Sequence, residues 1–175
     1  MSQSRALKER YPGLDILSQQ KHWDRATREL ILDRVHNVPE IRFFTPREVA
    51  ILQALADTIL PQDDRPPEQR IPIVPYIDAS VYNEETPGYR LETMPDPRTT
   101  WRLGIEGIDQ TSQALYDGRH YVELTPDERH SVIKALSREE PPGEVWRRLS
   151  PAHFCLGVLT GAIINAYYAH PTAWN

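Results

Sequence analysis

The sequence predicts an all-α fold, a compact single-domain helical bundle with proline-rich loops and a buried apolar C-terminal helix. Helix-start signals, in which a hydroxyl residue precedes a proline, recur along the chain. Apolar residues return at steps of three and four, the period of a helix face, and no segment shows a convincing strand pattern. The 175 residues suit one domain. We place it at residues 41–175, behind an N-terminal helical extension at residues 1–40.

The first two helices are predicted by apolar spacing and by a capping box. A helix face near the N-terminus consists of Trp23, Ala26, Leu30, Ile31 and Val35. The next helix runs from Pro46 to about Leu60 and starts where Thr45 and Glu48 can each bond the other's backbone amide. Its core face consists of Val49, Leu52, Leu55, Ala56 and Ile59. Pro61 then ends the helix.

Three more helices follow in the middle of the chain. A short one carries Val74, Ile77, Val81 and Tyr82. Asp96 and Pro97 open a clearly amphipathic helix that ends at Gly118. Its apolar face consists of Trp101, Ile105, Ile108, Ser112 and Leu115. A second capping box at Thr125 and Glu128 precedes a helix with Val132, Ile133 and Leu136 on one face.

The last helix starts at Ser150–Pro151 and is apolar on every side to about Ala169. We therefore expect it to be buried all round, either as a central core helix or partly under a second protein. Gly157 and Gly161, four residues apart, would let another backbone come close. A membrane span is disfavoured, because spanning takes about 20 apolar residues and polar side chains interrupt this shorter run.

Composition and the start of the chain limit the function. The hydrophobic share is 39% and the charged share 26%, as in globular proteins. A net charge of -5 with scattered Lys and Arg makes nucleic acid an unsuitable partner. Cys155 is the only cysteine, which excludes an intrachain disulfide and thiolate-held zinc or iron–sulfur centres. Met1–Arg10 show no apolar signal run and no Arg-Arg pair, so we expect a cytoplasmic protein, periplasmic only if a partner carries it.

The sequence predicts no cofactor or metal site on this chain. Neither GxGxxG nor the Walker pattern occurs, and Gly104 and Gly107 lie inside a helix, where they favour close packing over phosphate binding. The acidic group Asp63, Asp64 and Glu68 lacks the spacing of a calcium loop. The histidines are dispersed and favour surface or capping roles: His22, His36, His120, His130, His153 and His170.

No nucleophile with an adjacent base is evident. Cys155 and His153 are two residues apart on a helix, so their side chains point in different directions. Ser131 beside His130 fails for the same reason. An acid–base site would have to combine residues of separate helices, such as Asp57, Asp78 and His153. A stand-alone helical enzyme of this kind, or a generic helical adaptor, is therefore the alternative to a subunit without a catalytic centre.

The C-terminal tail has the composition of an interface. Aromatic and hydrogen-bonding residues follow the apolar helix, and such side chains combine contact area with a polar group. We expect the partner interface to include Tyr167, Tyr168, His170, Pro171, Trp174 and Asn175. A tail folded back on its own core would have the same composition.

The order of these segments resembles the gluconate 2-dehydrogenase subunit 3 family, the small subunit of sugar and alcohol dehydrogenase complexes. The residues that carry the resemblance are Phe44–Glu48 leading into Leu55–Pro61, then Val74–Asp78, and finally Gly161–Tyr168 with His170–Pro171. The resemblance covers most of the chain beyond about residue 40. None of these segments is a catalytic motif.

The resemblance implies a non-catalytic subunit that stabilises or matures a large flavoprotein of the glucose-methanol-choline (GMC) oxidoreductase class. That partner would hold FAD and oxidise a sugar or polyol, while this chain would hold no cofactor. A cytochrome c subunit is a further partner that the resemblance implies, as electron acceptor. Many relatives carry a twin-arginine export signal, and this sequence departs from them there.

Overall fold

The computed structural model describes residues 15–85, 94–138 and 141–174, and within these ranges the chain forms helices and no strands. The α-helices are α1 (Arg25–His36), α2 (Pro46–Ile59), α3 (Ile73–Tyr82), α4 (Pro97–Leu115), α5 (Pro126–Ser137) and α6 (Thr160–Tyr168). A π-helical segment, His153–Leu159, runs directly into α6, and we call the two together the C-terminal helix. Short 3₁₀ helices lie at Leu17–His22, Pro67–Gln69, Tyr121–Glu123, Glu144–Arg147 and Pro171–Trp174. The all-α prediction is confirmed.

Both predicted capping boxes are present. The Glu48 carboxylate accepts from the Thr45 amide at 2.8 Å, and the Thr45 hydroxyl accepts from the Glu48 amide at 3.4 Å. The same exchange joins Thr125 and Glu128 at the start of α5. These bonds satisfy amides that have no partner within the helix, so α2 and α5 begin at the predicted residues.

Helix α4 is the longest of the described helices, and most of it lies in the core. Asp96 caps it by accepting from the Thr99 amide at 3.0 Å. The predicted face is buried at Trp101, Ile105, Ile108 and Ser112, but Leu115 is exposed. The helix ends at Leu115, three residues before Gly118, whose positive φ of 83° turns the chain away.

The two glycines of α4 allow an aromatic layer to pack against the helix. A methyl group on Gly104 would overlap the Phe154 ring, and one on Gly107 would lie 2.6 Å from Trp146. Phe154 is fully buried and packs edge-on against Trp101, with 5.7 Å between ring centroids. The predicted role of these glycines in close packing is therefore confirmed.

The C-terminal helix is only partly buried within the chain, so the prediction that it is a central core helix is wrong, while cover by a second protein stays a prediction. Its inner side is buried at Phe154, Cys155, Leu159, Ile163 and Ala166. Its outer side leaves large apolar residues exposed: Leu156 at 58%, Ile164 at 40% and Tyr168 at 57%. The helices α2, α3, α4 and α5 and the 3₁₀ helix Pro171–Trp174 all contact the C-terminal helix, and these three outer residues still remain exposed.

No helix within the described ranges combines the length and the apolarity needed to cross a membrane. This agrees with the sequence prediction for the C-terminal helix, which is apolar but too short. Its two helical segments, His153–Leu159 and Thr160–Tyr168, together cover 16 residues, from 7 and 9.

Candidate functional site

Asp78, one candidate acid–base residue, holds the chain in front of α2. Its buried carboxylate accepts from the backbone amides of Arg42 at 2.7 Å, Phe43 at 3.0 Å and Phe44 at 2.8 Å. A carboxylate with three amide donors is well satisfied where it lies. Asp78 therefore fixes the approach of the chain to the capping box of α2, which accounts for its place in a helix that otherwise carries apolar residues.

Asp57 is not brought together with Asp78. It is exposed near the end of α2 and accepts from the amide of Gln53 at 3.0 Å. Asp78 binds the loop before Thr45, roughly 18 Å from Asp57 along the helix axis. The two carboxylates thus form no acid–base pair.

The other nucleophile and base candidates also lie apart. Cys155 is fully buried, and burial raises the pKa of its thiol to about 11, so the thiol stays protonated. His153 is half-buried on another side of the helix, where its ring lies 3.5 Å from the position of a Cβ on Gly157. Ser131 donates to the Asp127 carbonyl at 3.0 Å rather than to His130.

The acidic and histidine residues show no metal-binding arrangement in the part of the chain that the structure describes. No group of three or more possible ligands is found there. Asp63 is paired with Arg70 at 3.6 Å, and both side chains are exposed. Such a pair belongs to the solvated surface.

The tail folds back onto the chain. His170 and Pro171 are buried, and the His170 Nδ1 accepts from the Thr172 amide at 3.3 Å. Burial lowers the pKa of His170, and the nearby charges of Arg34 and Arg65 lower it further. The Arg65 guanidinium also donates to the Thr172 carbonyl at 3.1 Å, which ties the tail to the loop after α2.

The predicted interface residues therefore differ in their exposure. Tyr168 and Trp174 are exposed, and the Trp174 indole donates to the Tyr168 carbonyl at 2.7 Å. Tyr167 is half-buried, and its hydroxyl accepts from Arg65 at 3.4 Å. Asn175 lies outside the described residues. An interface role stays a prediction, and in this conformation it suits Tyr168 and Trp174 best.

Sequence reasoning missed a polar cluster around Asp109. One oxygen of this buried carboxylate accepts from Arg47 at 2.6 Å and bonds the His120 ring at 2.8 Å. The other oxygen accepts from the Tyr121 amide at 3.0 Å. Burial alone would raise the pKa of Asp109, but these bonds outweigh it and hold the pKa below its usual value. The cluster joins α2, α4 and the turn at Tyr121–Glu123.

One sequence signal could have found this cluster. Asp109 lies on the apolar face of α4, four residues after Ile105 and next to Ile108, where an acidic residue is buried only with partners. Of those partners, Arg47 lies 62 residues away and His120 lies beyond the end of α4, so neither is on the same helix face as Asp109. Spacing along the sequence could not identify them.

A groove of about 1020 Å³ lies between α3 and the C-terminal helix. Small residues of the C-terminal helix line one wall, and Tyr76 and Val81 of α3 line the other. His153 lies along the groove, whereas neither Asp57 nor Asp78 does. A mainly apolar groove of this size can bury a side chain or an apolar ligand, but it does not combine the hypothesised acid–base residues.

Comparison with known proteins agrees with the resemblance noted in the sequence. The family model described as Gluconate 2-dehydrogenase subunit 3 matches residues 46–175. The matched range contains α2, most of the residues that line the groove, the C-terminal helix and the tail. No curated protein matches the chain, and no solved structure matches it either.

Proposed function

Because the chain belongs to the gluconate 2-dehydrogenase subunit 3 family, we propose that it is the non-catalytic small subunit of a dehydrogenase complex. In this proposal it binds a large FAD-dependent subunit of the GMC class, and it stabilises or matures that partner. The family match carries the proposal, since the family is one of subunits and the match covers residues 46–175.

The cofactor and the chemistry are assigned to the partner. FAD binding needs backbone that can approach a pyrophosphate closely, usually through glycines at the start of a helix. Gly104 and Gly107 face Phe154 and Trp146 instead, so these glycines support packing within the chain. The partner would oxidise a sugar or polyol and pass its electrons onward, with a cytochrome c subunit as a proposed acceptor.

The test is co-expression with the FAD-dependent dehydrogenase encoded nearest to this chain. We expect the large subunit to be recovered with this chain and to show higher soluble yield, FAD content and sugar-dependent dye reduction than when expressed alone. If the large subunit is equally soluble, FAD-loaded and active alone, and does not co-purify with this chain, the proposal is wrong. Fractionation of the same cells tests whether the complex is cytoplasmic or carried to the periplasm.

The stand-alone enzyme is supported less well by the geometry. Of its three hypothesised residues, only His153 lines the groove, while Asp78 is bonded to backbone amides and Asp57 to Gln53. Exposed apolar residues on the C-terminal helix favour a binding role instead. Sugar or polyol turnover by the purified chain, abolished by His153→Ala, would favour the enzyme.

A further inference from the structure

We propose that the outer face of the C-terminal helix is the surface that docks onto the large flavoprotein subunit. The outer face consists of Leu156, Ile164 and Tyr168, and Gly157 and Gly161 line the groove beside it. This inference rests on the proposed function and adds the place of contact. It differs from the tail interface expected from the sequence, because most of these residues precede the tail.

The outer face is apolar and exposed. Leu156, Ile164 and Tyr168 are all exposed large apolar residues, and they recur at multiples of four residues along a single helix. Single exposed apolar residues are normal on a monomer, but several together on one helix face mark a contact surface. Trp174 lies next to this surface through its bond to the Tyr168 carbonyl.

The absence of charge on this helix also favours a protein contact. From Pro151 to Ala169 the sequence has no Lys, Arg, Asp or Glu, whereas 26% of all residues are charged. A helix that faces water normally carries charged residues on its outer side. The centre of a protein interface is depleted in charge, so the outer face has the composition of such a centre.

Gly161 provides the most specific evidence. Glycine in the interior of a helix makes that helix less stable than alanine would, so its presence there calls for a structural explanation. At Gly104 and Gly107 the reason is the aromatic ring packed against each of them. At Gly161, by contrast, no described atom apart from its chain neighbours and the backbone of its own helix turn lies within 4 Å of the position of a Cβ, and the glycine lines the groove. We infer that the space above Gly161 serves the approach of another chain.

Charge and family membership together indicate which occupant to expect. A membrane surface fits poorly, because the chain has a net charge of -5 and residues 151–174 contain no Lys or Arg to meet anionic headgroups. The family description, a numbered subunit of a dehydrogenase, places this chain among unlike subunits of one complex. The large subunit would therefore present an apolar surface to the outer face and fill the adjoining groove with a side chain.

The experiment uses four variants of the tagged chain, each co-expressed with the large subunit. Leu156→Glu places a charge on the outer face, and Gly161→Leu fills part of the groove beside it; we call these two the outer-face variants. The controls introduce the same two side chains at exposed positions on other helices: Leu30→Glu in α1 and Ser131→Leu in α5. We expect both outer-face variants to recover at least tenfold less large subunit per tagged chain, and both controls to stay within twofold of the wild type.

Circular dichroism of each isolated variant verifies the fold. If Leu156→Glu fails to fold, Gly161→Leu decides alone, because its Cβ would meet no atom beyond its own helix within 4 Å and would point into the groove. Wild-type recovery by both outer-face variants would overturn the docking surface and leave the proposed function standing. No recovery of the large subunit by the wild type would overturn both. In a further outcome, the wild type self-associates, and both outer-face variants abolish this self-association while still recovering the large subunit. That result would assign the outer face to a second copy of the chain and overturn the inference.

Discussion

At the scale of single residues, two buried carboxylates hold the bundle together. Asp78 accepts three backbone amides ahead of α2, and Asp109 joins Arg47, His120 and the Tyr121 amide. A buried amide that loses its only partner costs about 1–3 kcal/mol of stability. These carboxylates therefore contribute to the free energy of unfolding.

Replacing Asp78 should destabilise the protein strongly. Asp78→Ala leaves the amides of residues 42–44 without their shared acceptor, and we expect a loss of about 3 kcal/mol in the free energy of unfolding. Asp57→Ala, an exposed carboxylate on α2, is the matched control and should change stability by less than about 0.5 kcal/mol. Urea unfolding followed by circular dichroism measures both. Equal effects of the two substitutions would contradict the anchoring role of Asp78.

Asp109 should make stability depend on pH in the acid range. Its pKa is lower in the folded state than in the unfolded chain, so the stability it contributes is present above the unfolded value, about 4, and is lost as pH falls through the folded value. Asp109→Asn removes this contribution. We expect urea midpoints of the wild type to fall more steeply from pH 5 to pH 3 than those of the variant. Parallel curves would show that Asp109 is not ionised preferentially in the fold.

At the scale of helices, glycines in α4 and α6 should respond oppositely to the same substitution. Gly104→Ala places a methyl group in the Phe154 ring and should destabilise by about 1–3 kcal/mol. Gly161→Ala meets no described neighbour and should stabilise the isolated chain by up to about 1 kcal/mol, the difference in helix propensity. Thermal unfolding of the two variants shows whether each substitution raises or lowers the stability of the chain. Destabilisation by Gly161→Ala would show that a contact within the chain already uses this space.

Short-range signals in the sequence predicted where the helices lie, but not which helices pack together or which distant residues bond to each other. Thr45 and Thr125 each cap a helix by exchanging hydrogen bonds with a Glu three residues later, so the starts of α2 and α5 were predictable from short motifs. The exposed side of the C-terminal helix depends on which other helices pack against it, and apolar content alone cannot indicate that. The Asp109 cluster and the role of Asp78 likewise depend on partners on other elements, such as Arg47, 62 residues from Asp109, and Phe44, 34 residues from Asp78.

At the scale of the whole molecule, the C-terminal helix has a buried side that belongs to the core and an exposed side that is apolar. Phe154, Leu159 and Ile163 complete the chain's own core, while Leu156 and Ile164 remain available on the other side. The helix therefore completes the chain's own core and still presents an apolar surface. This division is the property expected of a small subunit that joins a larger partner.

The central claim is tested most directly by native mass spectrometry of the tagged chain purified after co-expression with the large dehydrogenase subunit. We expect a species whose mass equals the 20.2 kDa chain plus the large subunit with its FAD. Denaturing the same sample should release the two polypeptides separately. Recovery of the chain only as a monomer or as a homo-oligomer, with the large subunit present in the lysate, would contradict the claim that it is the small subunit of this complex.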